Sequence, residues 1–195
     1  MKSRFRHIAC FLSAFSFAAC ALPARAQDVY LCVWRNPERT MTRIFPGARD
    51  YVTVNARITG AQRREIESRL GFELLPGQQD QFQYFRMTGE GGRIIGTIIP
   101  ASQKGRFGAV EFVLGLDNDL VIRDLYIQRA RERDQAFKQR EFLDLFVGLE
   151  LSEALTLDRL YEGDETPGTA AVIRGLKKEL VTYQVLILEA ETAKN

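Results

Sequence analysis

Four runs of alternating residues between Phe82 and Gln128 constrain the fold more than any other feature of the chain. They read "FQYFRM", "RIIGTIIP", "FGAVEFVLGL" and "LVIRDLYIQ". A period of two sends successive side chains to opposite faces of a strand, and the β-branched and aromatic content suits a half-buried sheet. Gly89-Glu90-Gly91-Gly92 joins the first pair, and Asp117-Asn118-Asp119 joins the last. Consecutive strands with turns this short predict an antiparallel meander. The glycine turn runs from strand to strand, so it lacks the strand-to-helix setting of a dinucleotide-binding loop.

Helical signals flank this meander. Asp28 to Trp34 reads as a short strand, followed by an N-cap at Asn36, Pro37 in the first turn and a short helix to about Phe45. "YVTVNARI" alternates as a further strand. Thr59 and Gln62 have the spacing of a capping box, Ile66 and Leu70 share one helical face, and Gly71 is a natural stop. From Phe137 to Leu149 the pattern predicts a helix with Phe142, Leu145, Phe146 and Leu149 toward the core. A last helix is expected from near Pro167, burying Val172, Ile173, Leu176, Leu180, Tyr183 and Ile187. The expected fold class is α+β: an antiparallel sheet, with the four-strand meander at its centre and helices packed on it.

The first residues speak to compartment. Lys2, Arg4 and Arg6 precede the apolar run "IACFLSAFSFAACAL", and "ARA" stands before Gln27. This is the pattern of a secretory signal peptide over 1–26, with too few apolar residues for a spanning helix. The expectation is a single domain over 27–195 exported to the periplasm, with lipidation at Cys20 as the less favoured alternative. Removing the leader takes four of the 27 basic residues and none of the 25 acidic ones, leaving 23 against 25, a net charge of −2. A chain so nearly neutral offers no electrostatic footprint for nucleic acid. His7, Cys10 and Cys20 leave with it, so the mature chain keeps Cys32 and no histidine. That excludes Ser-His-Asp and Cys-His nucleophiles and His-ligated zinc or haem, and no metal is expected. Cys32, within "VYLCVW", reads as a buried small hydrophobe. Redox chemistry in such a chain would have to come from a bound cofactor.

One stretch offers a place to hold such a cofactor: "EGDETPGTAAVIRGLKKEL", Glu162 to Leu180. Thr166 is a good N-cap, Pro167 fits the first helical position, and Gly168 and Thr169 would present backbone N–H groups. A helix start of this kind attracts anions, although the same residues also describe an ordinary capped helix.

In order along the chain, "GRIIGTII", "GAVEFVLGLDNDLVIRDLYI", "FLDLFVG" and "ETPGTAAVIRGLKKEL" resemble successive segments of the FMN-binding domain carried by periplasmic subunits of sodium-pumping quinone reductases and related complexes. Upstream, "FPGA" and "ITGAQRREIESRLGFEL" resemble its single-domain members. The resemblance implies FMN as cofactor, with its phosphate at the helix start. Thr166 would stand at the attachment threonine and Thr169 on a later serine. Gly163, Thr166, Gly168 and Thr169 are therefore the candidate cofactor-binding residues. Gly163-Asp164-Glu165 replaces the family's Ser-Gly-Ala, so non-covalent flavin is expected before covalent flavin. Glu162, Asp164 and Glu165 would also stand beside the phosphate, each unfavourable by roughly 1 kcal/mol at surface dielectric.

Two functions follow from the resemblance. One is a periplasmic electron carrier serving a membrane or periplasmic redox complex. The other is a degenerate, flavin-free domain acting as a binding or assembly module of the cell envelope. No carboxylate pair or partnered nucleophile points to a hydrolase.

Overall fold

The structure, a computed structural model, describes residues 37–192. The leader, the strand expected at Asp28–Trp34, Asn36 and Cys32 lie outside the described residues. The chain runs α1 (Glu38–Ile44), β1 (Asp50–Arg57), α2 (Gly60–Leu70), β2 (Gln81–Thr88), β3 (Ile94–Lys104), β4 (Ala109–Leu116), β5 (Ile122–Arg129), α3 (Arg140–Leu143), α4 (Pro167–Tyr183) and α5 (Glu189–Thr192). The strands form one antiparallel sheet in the order β1-β2-β3-β4-β5. The fold is therefore α+β with helices on an antiparallel sheet, and the meander extends to five strands because β1 pairs with β2 along its whole length, from Asp50↔Thr88 to Arg57↔Gln81.

Local chemistry explains the element ends. Thr59 accepts the Gln62 N–H at 3.3 Å, and Gln62 Oε1 accepts the Thr59 N–H at 3.1 Å, so the capping box at α2 closes in both directions. Gly71 ends α2 in the left-handed region, φ 73°. Gly91 and Gly92 take φ 70° and 74° in the β2–β3 turn, where other residues would be strained.

Two expectations need correction. Pro37 takes the capping position ahead of α1 and its carbonyl accepts from Thr40 and Met41, so it lies outside the first helical turn. The single helix expected over Phe137–Leu149 is instead a chain of short turns. Residues 136–138 and 144–146 are tight 3₁₀ turns around the four-residue α3. Phe142 and Phe146 are buried and meet edge to face at 5.3 Å, but Leu145 is 39% exposed, because the break in helical phase turns it outward. Leu151–Arg159 forms a further 3₁₀ helix that the sequence reading missed.

The sheet buries both faces, unequally. One carries the main core, where Phe82, Tyr84, Ile99, Phe112 and Leu114 meet α2 and α4. The other is a smaller cluster in which Ile44, Phe45 and Ala48 cover Phe85, Met87, Ile98, Val113 and Tyr126. Its seat is made by missing side chains: a Cβ at Gly96 would collide with the Phe45 ring, and one at Gly115 with Ile44.

Candidate functional site

The start of α4 is built as a closed hydrogen-bonded unit. Thr166 caps the helix, and its Oγ1 accepts the Thr169 N–H at 3.2 Å. Thr169 Oγ1 in turn accepts the Thr166 N–H at 2.9 Å. Pro167 has no N–H to offer. The remaining partner comes from the polar stretch after β5: Asp134 accepts from Thr166 Oγ1 at 2.9 Å through one oxygen and from the Gly168 N–H at 3.2 Å through the other. The Ala170 N–H bonds the Thr166 carbonyl at 2.9 Å. Every backbone donor of the first turn thus has an acceptor, and a carboxylate already sits where the positive end of the helix dipole would draw an anion.

The four residues expected to hold FMN separate on this geometry. Thr166, Gly168 and Thr169 are brought together, and Thr169 is fully buried. Gly168 has a packing reason to be glycine: a Cβ there would collide with the Phe137 ring and stand 2.7 Å from Asp134 Oδ1. Gly163 lies apart, exposed in the acidic loop, where a Cβ would meet the Tyr161 ring at 2.6 Å. The Tyr161 hydroxyl donates to the Asp164 carbonyl at 3.3 Å and holds that loop in shape. Glu162, Asp164 and Glu165 are exposed nearby. A phosphate dianion does not fit this arrangement, since it would have to displace Asp134 to reach the Gly168 N–H and would then face the acidic loop. Asp134 was invisible as a site residue in the sequence because it bonds 32 residues away.

A second polar site lies further along α4, where the helix crosses β2 and β3. Pairing of β2 with β3 ends at Phe85↔Ile98, although β2 continues to Gln81 on β1 and β3 continues to Lys104 on β4. Pro100 accounts for the split. β3 is the central strand, and a proline there removes a ladder donor. Backbone groups of a strand alternate between neighbours, so Pro100 and Ser102 address the same side. The Ser102 carbonyl is bonded from within the opening, by Lys178 Nζ at 2.7 Å and Gln78 Nε2 at 2.9 Å.

The split opens as a cavity of about 220 Å³ between Gln81, Phe82 and Gln83 on one wall and Pro100 and Ser102 on the other. Its floor is α4, through Lys178, Glu179 and Thr182. Lys178 is only 2% exposed, yet all three of its ammonium hydrogens have acceptors: Gln78 Oε1 at 2.7 Å, the Ser102 carbonyl, and Glu179 Oε1 at 2.9 Å. Burial pushes the Glu179 carboxyl above the ordinary carboxylate range, and Lys178 opposes that shift without cancelling it. The Ser102 hydroxyl is itself buried with no hydrogen-bond partner. Sequence periodicity missed this site, since Lys178 and Glu179 lie beside the expected apolar stripe. The proline inside "RIIGTIIP" was the signal that could have found it. Among the described residues, no group of three His, Cys, Asp or Glu side chains is placed to hold a metal ion.

A scan against protein-family models returns no match for this chain, and neither does a search of curated protein sequences.

Proposed function

We propose that the chain is a flavin-free binding module of the cell envelope, built on an α+β domain that resembles the FMN-binding domain without using its phosphate site. The observation that carries this reading is the Asp134 carboxylate, which bonds both Thr166 Oγ1 and the Gly168 N–H. In the resemblance, these are the groups that would receive the flavin phosphate. Here Thr166 instead works as one half of a capping box, and Gly168 makes room for Phe137. The leader pattern supports export, and the near-neutral mature charge supports a partner other than nucleic acid.

The test is to express the chain with its leader, purify the exported form and record both its visible spectrum and its intact mass. The expected result is no absorbance near 450 nm, no quenching of added FMN fluorescence and no mass beyond that of the polypeptide. A yellow protein, or an added mass of one FMN that vanishes in Thr166→Ala, would reject the reading and restore the electron-carrier function.

A further inference from the structure

We infer that the free edge of β1 pairs with the same edge of a second copy of this chain, joining two five-stranded sheets into one across a twofold axis. This goes beyond the binding-module reading and does not depend on it. The Ile58 N–H bonds the Asp80 carbonyl at 2.9 Å, so the even-numbered residues of β1 turn their backbone groups toward β2. Tyr51, Thr53, Asn55 and Arg57 turn theirs away from the sheet. One of these groups is covered, since the Asp50 carboxylate accepts the Tyr51 N–H at 2.7 Å. Among the described residues, the other outward N–H and carbonyl groups of β1 have no partner. The opposite edge of the sheet is protected. Two bulges interrupt the β4–β5 register, Ile122 bonds Gly148 and Leu149, and Arg140 donates to the Leu125 carbonyl. β1 instead keeps an unbroken eight-residue register with β2 and contains no proline and no lysine. The next element, α2, packs mainly against α4.

The residues of the edge select the occupant. In an antiparallel pair, outward residues must stand opposite outward residues, which limits the registers available. Centring the pairing on Val54 sets Tyr51 opposite the second copy's Arg57 and Thr53 opposite its Asn55, each twice by symmetry. On the other face Val52 meets the second copy's Ala56, and Val54 meets its own copy on the axis. Val52, 55% exposed in the single chain, thereby joins Val54 in a continuous apolar strip. The charges agree with this register. Asp50 and Arg57, at opposite ends of β1, are its only charged residues. The Asp50 carboxylate lies at the Tyr51 N–H, where the second copy's Arg57 arrives, so each end of the pairing brings a guanidinium to a carboxylate. Centring on Thr53 would instead set Arg49 directly against the second copy's Arg57, a repulsive pair. An edge that meets opposite charge when turned on itself is complementary to a second copy of the chain. One strand pair is a small interface, which places the dimer among the weak ones.

Sedimentation of the mature chain over a range of concentrations, together with cysteine cross-linking, tests this. The expected result is a monomer that gives way to a dimer as concentration rises. In a Cys32→Ser background, Val54→Cys should form a disulfide-linked dimer, because the Cα atoms of an on-axis, non-hydrogen-bonded pair lie about 4.5 Å apart, within disulfide range. Val52→Cys in the same background should not, since its own copy lies four residues away along the partner strand. Arg57→Asp should weaken the dimer about tenfold, and adding Asp50→Arg should restore it. Thr53→Pro removes an outward donor without touching the β1–β2 ladder, so it should leave a folded monomer. The exposed Arg57→Asp pair of variants covers the case in which the proline disturbs folding. A chain that stays monomeric at every concentration, cross-linking as ready at position 52 as at 54, or a dimer indifferent to both Arg57→Asp and Thr53→Pro would overturn the assignment. The visible spectrum of the same sample reports on flavin separately, so loss of the dimer leaves the flavin-free reading standing.

Discussion

At the residue scale, Asp134 decides how the start of α4 is used. A carboxylate that accepts from a hydroxyl and from a first-turn N–H is a charge-assisted cap, roughly twice as strong as a neutral one. Asp134→Ala should therefore destabilise the domain by about 1–2 kcal/mol, and Thr166→Ala by about 1 kcal/mol, measured by urea denaturation. Because the two side chains bond each other, the double variant should cost less than the two single losses combined. Thr166 was legible in the sequence as an N-cap, but its reciprocal bonding with Thr169, three residues on, was not read, and the Thr169 N–H expected to be free is taken by Thr166. Asp134 was not legible, because nothing local distinguishes it from the other polar residues of "RARERDQAF".

Glu179 gives the residue-scale pH dependence. Its carboxyl is raised in the fold, first by burial, against an ordinary value of 4.5. A raised group binds its proton more readily folded than unfolded, so its contribution to stability is present below pH 4.5 and is lost as pH climbs through the folded value. Glu179→Gln should thus remove the part of the stability loss above pH 4.5 that this carboxyl contributes, as read from the slope of denaturation midpoints against pH. The Gln78 and Ser102 acceptors remain to hold Lys178 in that variant.

At the element scale, the strands of the meander were legible because each is a short run rich in β-branched and aromatic residues between clear turn signals. What the pattern concealed was where pairing stops, since alternation reports faces and is silent about neighbours. Pro100 sits in phase with the strand and so does not disturb the alternation it interrupts. Pro100→Val supplies the missing donor with a residue suited to strands. The expected outcome is a β2–β3 ladder extended past Phe85↔Ile98, seen as slowed amide exchange at Gln83 and Ser102, with a gain of about 0.5–1 kcal/mol in stability. Unchanged exchange at Gln83 would mean that something other than the proline holds the strands apart. The segment after Phe137 failed for the opposite reason. Its apolar spacing is helical, but the 3₁₀ turns change phase every few residues, so each anchor is buried by its own turn and Leu145 falls outside.

At the scale of the whole molecule, the two faces of the sheet differ in how much holds them. The main core is closed by α2, α4 and the turns after β5, while the opposite cluster depends on α1 and the residues just after it. Stability should divide along that line, with the smaller cluster opening at lower free energy than the main core. Phe45 and Phe112 test this, since both are fully buried large side chains on opposite faces. Phe112 lies beneath α4 so closely that a Cβ at Gly175 would stand 2.9 Å from its ring. Phe112→Ala should lower global stability by about 3–5 kcal/mol. Phe45→Ala removes the ring seated over Gly96 and Gly115, the contact that fastens the end of α1 to the sheet. Its expected signature is local: rapid proteolysis and amide exchange over 38–48, with exchange in β3, β4 and α4 retained. Loss of protection across both faces together in Phe45→Ala would instead make the sheet and its two covers a single cooperative unit.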